Sequence, residues 1–330
     1  MFVYLYRQSV KDFRTDIIRR SFRPPKMLLR VYSLFILMCD LITLFAKINY
    51  EILIAIYGTI CPPPQKKVFR EVAVVVGGGH GIGKELAFLL SKWGVNVACI
   101  DTVDGHIIPD EYALGEIRPY ICNITNKERL INTVASIQAR FGDITMLFYC
   151  SIPSPASLLQ NNPDPDVTHT INLTIISYFW LLEKILPSMK SKNKGHIVFL
   201  SSVAGLSSAT TEHSSRVLLS AAQFAIQGLA ESLHTELRHS NCDVIVTLVH
   251  IYPFIIDAES ARDIRSRIPS FLGTMPAAEA AQKILDGVRR NYVEFSIPGY
   301  LLYLKHILRI LPKSASFMLR DFLDTGVDFG

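Results

Sequence analysis

The chain has 330 residues, enough for one α/β domain with extensions. Hydrophobic residues make up 49 % of it and the mean hydropathy is +0.28, which is apolar for a protein surrounded only by water and puts a membrane among its expected partners. The net charge is +5, but residues 1–26 hold seven Lys/Arg against Asp12 and Asp16, so the remainder is neutral overall. A nucleic-acid partner is set aside, because such a binder carries its basic residues on the folded domain.

In chain order, the basic leader 1–26 comes first and an apolar stretch, 27–60, follows it. Asp40, Lys47 and Glu51 interrupt that stretch at spacings of 7 and 4, which places them on one narrow stripe of a helix together with Ser33 and Gly58. Such a helix can lie in the bilayer interface, dip in as a hairpin, or span with its stripe against a partner; a buried helix of a larger core is the alternative. Arg19, Arg20, Arg23 and Lys26 precede it and Lys66, Lys67 and Arg70 follow it. Positive charge on both sides favours a monotopic helix with both ends facing the cytosol. The long basic lead and the lack of a small-residue cleavage site argue against a secretory signal. "CPPPQKK" then reads as a stiff linker, 61–70, into the domain.

Beyond the linker, strand-like runs at 71–76, 95–101, 117–122, 145–150, 196–201, 243–250 and 293–297 alternate with helical patterns at 81–93, 126–141, 166–191, 217–240 and 276–290. Runs that are apolar on both faces and separated by helices predict a single α/β domain over 71–298, a doubly wound parallel sheet of the Rossmann kind. An amphipathic segment, 299–330, closes the chain. It reads as a second membrane-surface element, a cover across the pocket mouth, or a core-packed helix. Cys39, Cys61, Cys99, Cys122, Cys150 and Cys242 follow no metal-ligand spacing, so no metal is expected and reduced thiols are. Asn123 and Asn172 open glycosylation sequons that read as chance matches inside folded segments.

The informative motif is "VVVGGGHGIGKELAFLL", 74–90: an apolar strand, a glycine cluster and a helix. Gly77, Gly81 and Gly83, with Ile82 between the last two, let backbone pass close to a pyrophosphate that would sit on the helix amino terminus. Asp101, 18 residues after Gly83, ends the next strand, where its carboxylate would accept from ribose hydroxyls and repel a 2′-phosphate. NAD is therefore the expected cofactor rather than NADP.

The spacing "GGGHGIG", the "INLT" around Asn172, "GHIVFLSSVAG" at 195–205 and "FAIQGLAESLHTELR" at 224–238 resemble the short-chain dehydrogenase/reductase family over roughly 70–300. With the apolar leader, the "PPPQKK" junction and the tail "LLYLKHILRILP", the chain looks like the membrane-associated branch that holds epidermal retinol dehydrogenases and lipid-droplet 17β-hydroxysteroid dehydrogenases. The resemblance implies a domain facing the cytosol on the endoplasmic reticulum membrane or a lipid droplet. It also implies a lipophilic small-molecule ligand, and a homodimer or a heterodimer with an active relative through helices 166–191 and 217–240.

Active members of the family use a tyrosine, a lysine four residues later, a serine and an asparagine. Ser202 and Asn172 match the last two by position, whereas Leu219 and Gln223 stand at the tyrosine and lysine positions. No local shift of alignment restores the pair, since there is no tyrosine between Tyr178 and Tyr252 and no lysine between Lys194 and Lys283. Other cofactor-contacting positions depart as well: Val76 opens the loop, Asn123 replaces the aspartate that meets adenine, Ile152 stands where backbone passes the cofactor, and Ala258 follows Pro253. The resemblance thus implies a catalytically impaired homologue with weak or vestigial NAD binding. The alternatives are an altered NAD-dependent oxidoreductase of a retinoid or steroid, with His213 as its acid/base, and a scaffold that pairs with an active relative.

Overall fold

The structure is a computed structural model and describes residues 26–103, 113–150, 167–202, 215–251, 255–256 and 275–323. The chain divides into two compact units, Met1–Pro63 and Pro64–Gly330. The first contains α1 (Lys26–Ile60), one helix without a break. Its segment Val31–Gly58 is long and apolar enough to cross a membrane by length and composition, and none of it is buried.

In the second unit, β1 (Val72–Val76), β2 (Asn96–Asp101), β3 (Ile117–Ile121), β4 (Met146–Tyr149), β5 (His196–Ser202), β6 (Ile245–Ile251) and β9 (Glu294–Ile297) form one sheet. The order is β3-β2-β1-β4-β5-β6-β9, and every pairing is parallel. β7 (Ile255–Ile256) and β8 (Met275–Pro276) make a separate two-stranded pair. The strand sequences explain the arrangement: "VAVVV" of β1 is buried at all five positions, because a central parallel strand is covered on both faces. Val72, Val74 and Val76 face a core with α3 (Lys127–Phe141), α5 (Ser177–Ser191) and α6 (Ser215–His239). Ala73 and Val75 face the opposite core with α2 (Gly81–Lys92) and α7 (Ala277–Arg289). The chain winds one way from β1 to β3 and the other way from β4 onward, so the topological switch lies at the carboxyl ends of β1 and β4.

The predicted helix at 166–191 is observed as α4 (Val167–Ile171), a π-helical segment Asn172–Ile176, and α5. Side chains compete for the carbonyls there. Thr174 Oγ1 donates to Thr170 O at 2.6 Å and Ser177 Oγ to Leu173 O at 2.8 Å, while Tyr149 OH donates to Leu173 O from β4 at 3.2 Å. The Ser177 amide is left to reach back to Asn172 O, the wider repeat of a π turn.

The carboxyl-terminal segment is two helices, α8 (Tyr300–Ile310) and α9 (Lys313–Leu323). Leu301, Lys305 and Leu308 form the buried stripe of α8, and Tyr303, Ile307 and Ile310 are exposed. α8 runs back along β9 rather than across the carboxyl edge of the sheet: Leu302 N donates to Ser296 Oγ at 2.9 Å, and Lys305 Nζ, one turn later, reaches Glu294 Oε1 at 2.6 Å. Among the described residues all six cysteines are free and no cluster of His, Cys, Asp and Glu suits a metal.

Candidate dinucleotide-binding site

The glycine loop leaves β1 at its carboxyl end and enters α2. Gly77 adopts φ +76° and donates its N–H to Ile100 O at 2.8 Å, which ties the loop to the end of β2. Gly81 has φ +53°, a conformation that strains any residue with a Cβ, and it opens the helix. Gly83 has a different reason to be glycine: a Cβ there would lie 2.0 Å from Gly77 O. Ile82 is half-buried against the α2–α7 core and anchors the turn.

Asp101 stands where the sequence placed it, at the end of β2, and faces the loop. Its Oδ2 accepts from the Gly79 N–H at 2.8 Å and lies 3.2 Å from His80 Nδ1, while Oδ1 accepts from the Thr102 N–H at 2.7 Å. Burial pushes its pKa up, but the His80 hydrogen bond, the two amides and the His80 charge outweigh burial and hold the carboxyl at about 2. His80 is the residue that the sequence reading missed; the signal was a histidine inside the glycine cluster itself. Beneath Gly78 lies Cys99, whose thiol is pushed up to about 12 by burial and by the Asp101 charge. The floor of the loop is therefore neutral.

A folded-state pKa below the unfolded one means that Asp101 stabilises the fold above about pH 4 and that this contribution fades as pH falls toward 2. Asp101→Ala removes the acceptor of two backbone amides. It is expected to cost about 1–2 kcal/mol at neutral pH, measured by denaturant unfolding of the full chain in detergent.

Asn123 lies one strand away, just past β3. It is exposed and its Oδ1 is taken up locally, by Thr125 N at 3.0 Å and Thr125 Oγ1 at 2.8 Å. Asn172 is half-buried and begins the π segment. Ser202 ends β5, opposite Ile251 of β6. α6 packs on both β5 and the π segment, and Leu219 and Gln223 stand one turn apart on it. Gln223 is fully buried. His213, Ile152 and Ala258 lie outside the described residues.

The arrangement fits the adenosine half of a dinucleotide: glycines where a Cβ would fill the cradle, and a fixed carboxylate at the end of β2. The order β3-β2-β1-β4-β5-β6-β9 with a glycine turn at the switch point defines a doubly wound, nucleotide-binding class of domain.

Within that class the chain belongs to the short-chain dehydrogenase family: the profile described as "short chain dehydrogenase" matches residues 71–269. Curated relatives include "Epidermal retinol dehydrogenase 2" of Mus musculus, 23 % identical over 292 residues, 86 % of this chain and 92 % of that protein. "17-beta-hydroxysteroid dehydrogenase 13" of Homo sapiens is 24 % identical, covering 85 % of this chain and 92 % of its own length. Among solved structures, a short-chain dehydrogenase/reductase from Burkholderia phymatum in complex with NAD shares the fold with a TM-score of 0.59 at 17 % identity, over 74 % of this chain and 94 % of that one. A metagenomic short-chain oxidoreductase in complex with NADP gives a TM-score of 0.53 at 19 % identity, covering 70 % and 98 %.

Proposed function

We propose that this protein is a membrane-associated short-chain dehydrogenase homologue that has lost the proton-transfer half of the family's chemistry and works as a pseudoenzyme with weak or no NAD-dependent activity. One observation carries the reading. α6, the helix on which the family's tyrosine and lysine would stand one turn apart, holds Leu219 and Gln223 there, and the stretch between Lys194 and Lys283 has no lysine to take over. Leucine has no proton to give, and the amide of Gln223 brings no charge to lower a neighbour's pKa. Positioned acid/base catalysis is worth roughly 10²–10⁴ in rate, and a lost ribose-holding lysine also misplaces the hydride. Ser202 and Asn172 remain by position but perform no hydride transfer alone.

The retained adenosine side, Gly77, Gly81 and Asp101, supports vestigial NAD binding. α1 supports attachment to a membrane; the endoplasmic reticulum or a lipid droplet, with the domain in the cytosol, is the compartment that the family resemblance implies. The test is titration of the full chain in detergent with NAD and NADH, followed by calorimetry and NADH fluorescence. No micromolar binding is expected, and no turnover of retinol or estradiol. Micromolar binding with turnover overturns the pseudoenzyme and supports the second reading, an altered oxidoreductase of a lipophilic alcohol, which the names of the curated relatives favour. Exposed Phe179 on α5 and Phe224 on α6 support pairing with a second copy or an active relative through those helices.

A further inference from the structure

The sheet edge opposite the glycine loop carries a second surface that the proposed site does not use. All seven strands are parallel, so the segments that lead into them share one edge. Phe69 and Arg70 precede β1, Trp93 precedes β2, and Val293 precedes β9. The segments before β1 and β2 are bound to each other and to the end of α7. The Phe69 ring lies against Gly94, Arg70 N donates to Gly94 O at 2.9 Å, and the Arg289 guanidinium sits 3.9 Å over the Trp93 ring. Lys66 N donates to Arg289 O at 2.7 Å, and Arg289 Nε returns a bond to Lys66 O at 3.2 Å. The strip leaves large apolar groups in the open: Phe69 is 55 % exposed, Trp93 47 % and Val293 48 %. α8 adds to it from the other face of the sheet. Lys305 of α8 reaches Glu294, the first residue of β9, and Ile310 at the end of the same helix is 84 % exposed.

The charge of the edge has one sign in excess. Lys194, Lys192 and Arg290 are matched by Glu71, Asp143 and Asp286. Glu116, which precedes β3, is matched by Arg140. Lys67, Arg70 and Arg289 then outnumber Asp243, which the Asn193 amide holds. Aromatic and aliphatic groups left in water beside surplus cations suit the headgroup level of an anionic membrane, where a tryptophan ring is half-solvated and each nearby Lys or Arg is attracted to the surface. A free soluble anion would account for the cations and leave the apolar groups without a role.

We propose that this amino-terminal edge of the sheet is a membrane-docking face that seats on anionic phospholipid headgroups, with the dinucleotide cradle turned to the opposite side. The proposal rests on the reading of α1 as a membrane helix. Pro64, the first residue of the domain unit, follows Ile60, the last of α1, by only four positions, so a membrane that holds α1 is joined to the domain through a short stretch of chain.

The chain has two tryptophans, Trp93 and Trp180, and Trp180→Phe leaves Trp93 as the single reporter. This variant of the full chain is reconstituted into vesicles of phosphatidylcholine, alone or mixed with phosphatidylserine, that contain a headgroup-nitroxide lipid. Flotation reports insertion of the chain, and Trp93 quenching reports contact of the edge. The expected result is flotation with both vesicles, with Trp93 quenched strongly only in the anionic ones. The quenching is lost in high salt and in the Lys67→Gln/Arg70→Gln variant, whose exposed positions leave the fold intact. Flotation with Trp93 unquenched in anionic vesicles overturns the docking face while the reading of α1 stands. Failure to float with either vesicle overturns both. A response of Trp93 to inorganic phosphate in vesicles of phosphatidylcholine alone overturns the lipid assignment in favour of a free-anion site.

Discussion

Glu294→Ala is expected to destabilise the domain by about 3 kcal/mol at neutral pH. Glu294 Oε1 accepts from Lys305 Nζ at 2.6 Å and from His250 Nε2 at 2.7 Å. Lys305 is 6 % exposed and His250 is fully buried, so both donors have given up water for this one carboxylate. Removing it leaves an ammonium buried without a counter-charge, a loss of about 3–5 kcal/mol for buried pairs; the lower end applies because Glu294 is about one-third exposed. The His250 hydrogen bond, aided by Lys305, outweighs burial and holds Glu294 at about 2, below its usual 4.5. A depressed folded-state value gives stability that is present above about pH 4.5 and lost as pH falls toward 2. Denaturant unfolding at pH 7 and pH 3 checks both statements: the wild-type chain loses stability on acidification, and the Glu294→Ala chain loses less. Lys305→Met in the Glu294→Ala background should recover much of the deficit, since the stranded charge goes with it.

The centre of the sheet was legible in the sequence because its strands are buried on both faces. Runs such as "VAVVV" and "IVTLVHI" have no solvated side, so their apolar continuity marks their limits to within a residue or two. Gly77, Gly81 and Gly83 and the acidic strand end at Asp101 were legible for a related reason: backbone that must turn with positive φ or pack without a Cβ restricts the residue type, and the restriction shows in the letters. Features made by long-range partners were not legible. Nothing near Lys305 in the chain says that Glu294, which His250 also bonds, neutralises it inside the fold, and a lysine on an amphipathic helix reads as solvated. The π segment at Asn172–Ile176 depends on the Tyr149 hydroxyl arriving from β4 as well as on its own Thr and Ser side chains, so local periodicity predicts an unbroken helix. His80 was missed because a histidine in a loop gains meaning only once Asp101, 21 residues on, is seen beside it.

Gly83→Ala is expected to cost about 3 kcal/mol with no cofactor present, and Gly81→Ala about 1 kcal/mol. The two differ in what the new methyl meets. At Gly83 the Cβ would lie 2.0 Å from Gly77 O, and backbone on both sides leaves no flexible side chain to yield; the loop and α2 must move apart, the upper range of an overpacking penalty. At Gly81 there is nothing within 4 Å, and only the left-handed conformation at φ +53° is strained. Thermal unfolding of both variants without NAD checks the pair, and equal losses would show that the loop yields more readily than its contacts imply. The contrast bears on function, because a glycine required by helix-to-loop packing would persist in a chain that binds no nucleotide at all. Gly83 therefore adds nothing to the case for NAD, and the weight falls on Gly81 and Asp101, whose surroundings leave room for a ligand. If the chain binds NAD in the micromolar range, Gly81→Ala should weaken that binding out of proportion to its small effect on stability. If it does not bind, Gly81→Ala should register only as the strain at φ +53°, and the glycine motif is then a determinant of the fold alone.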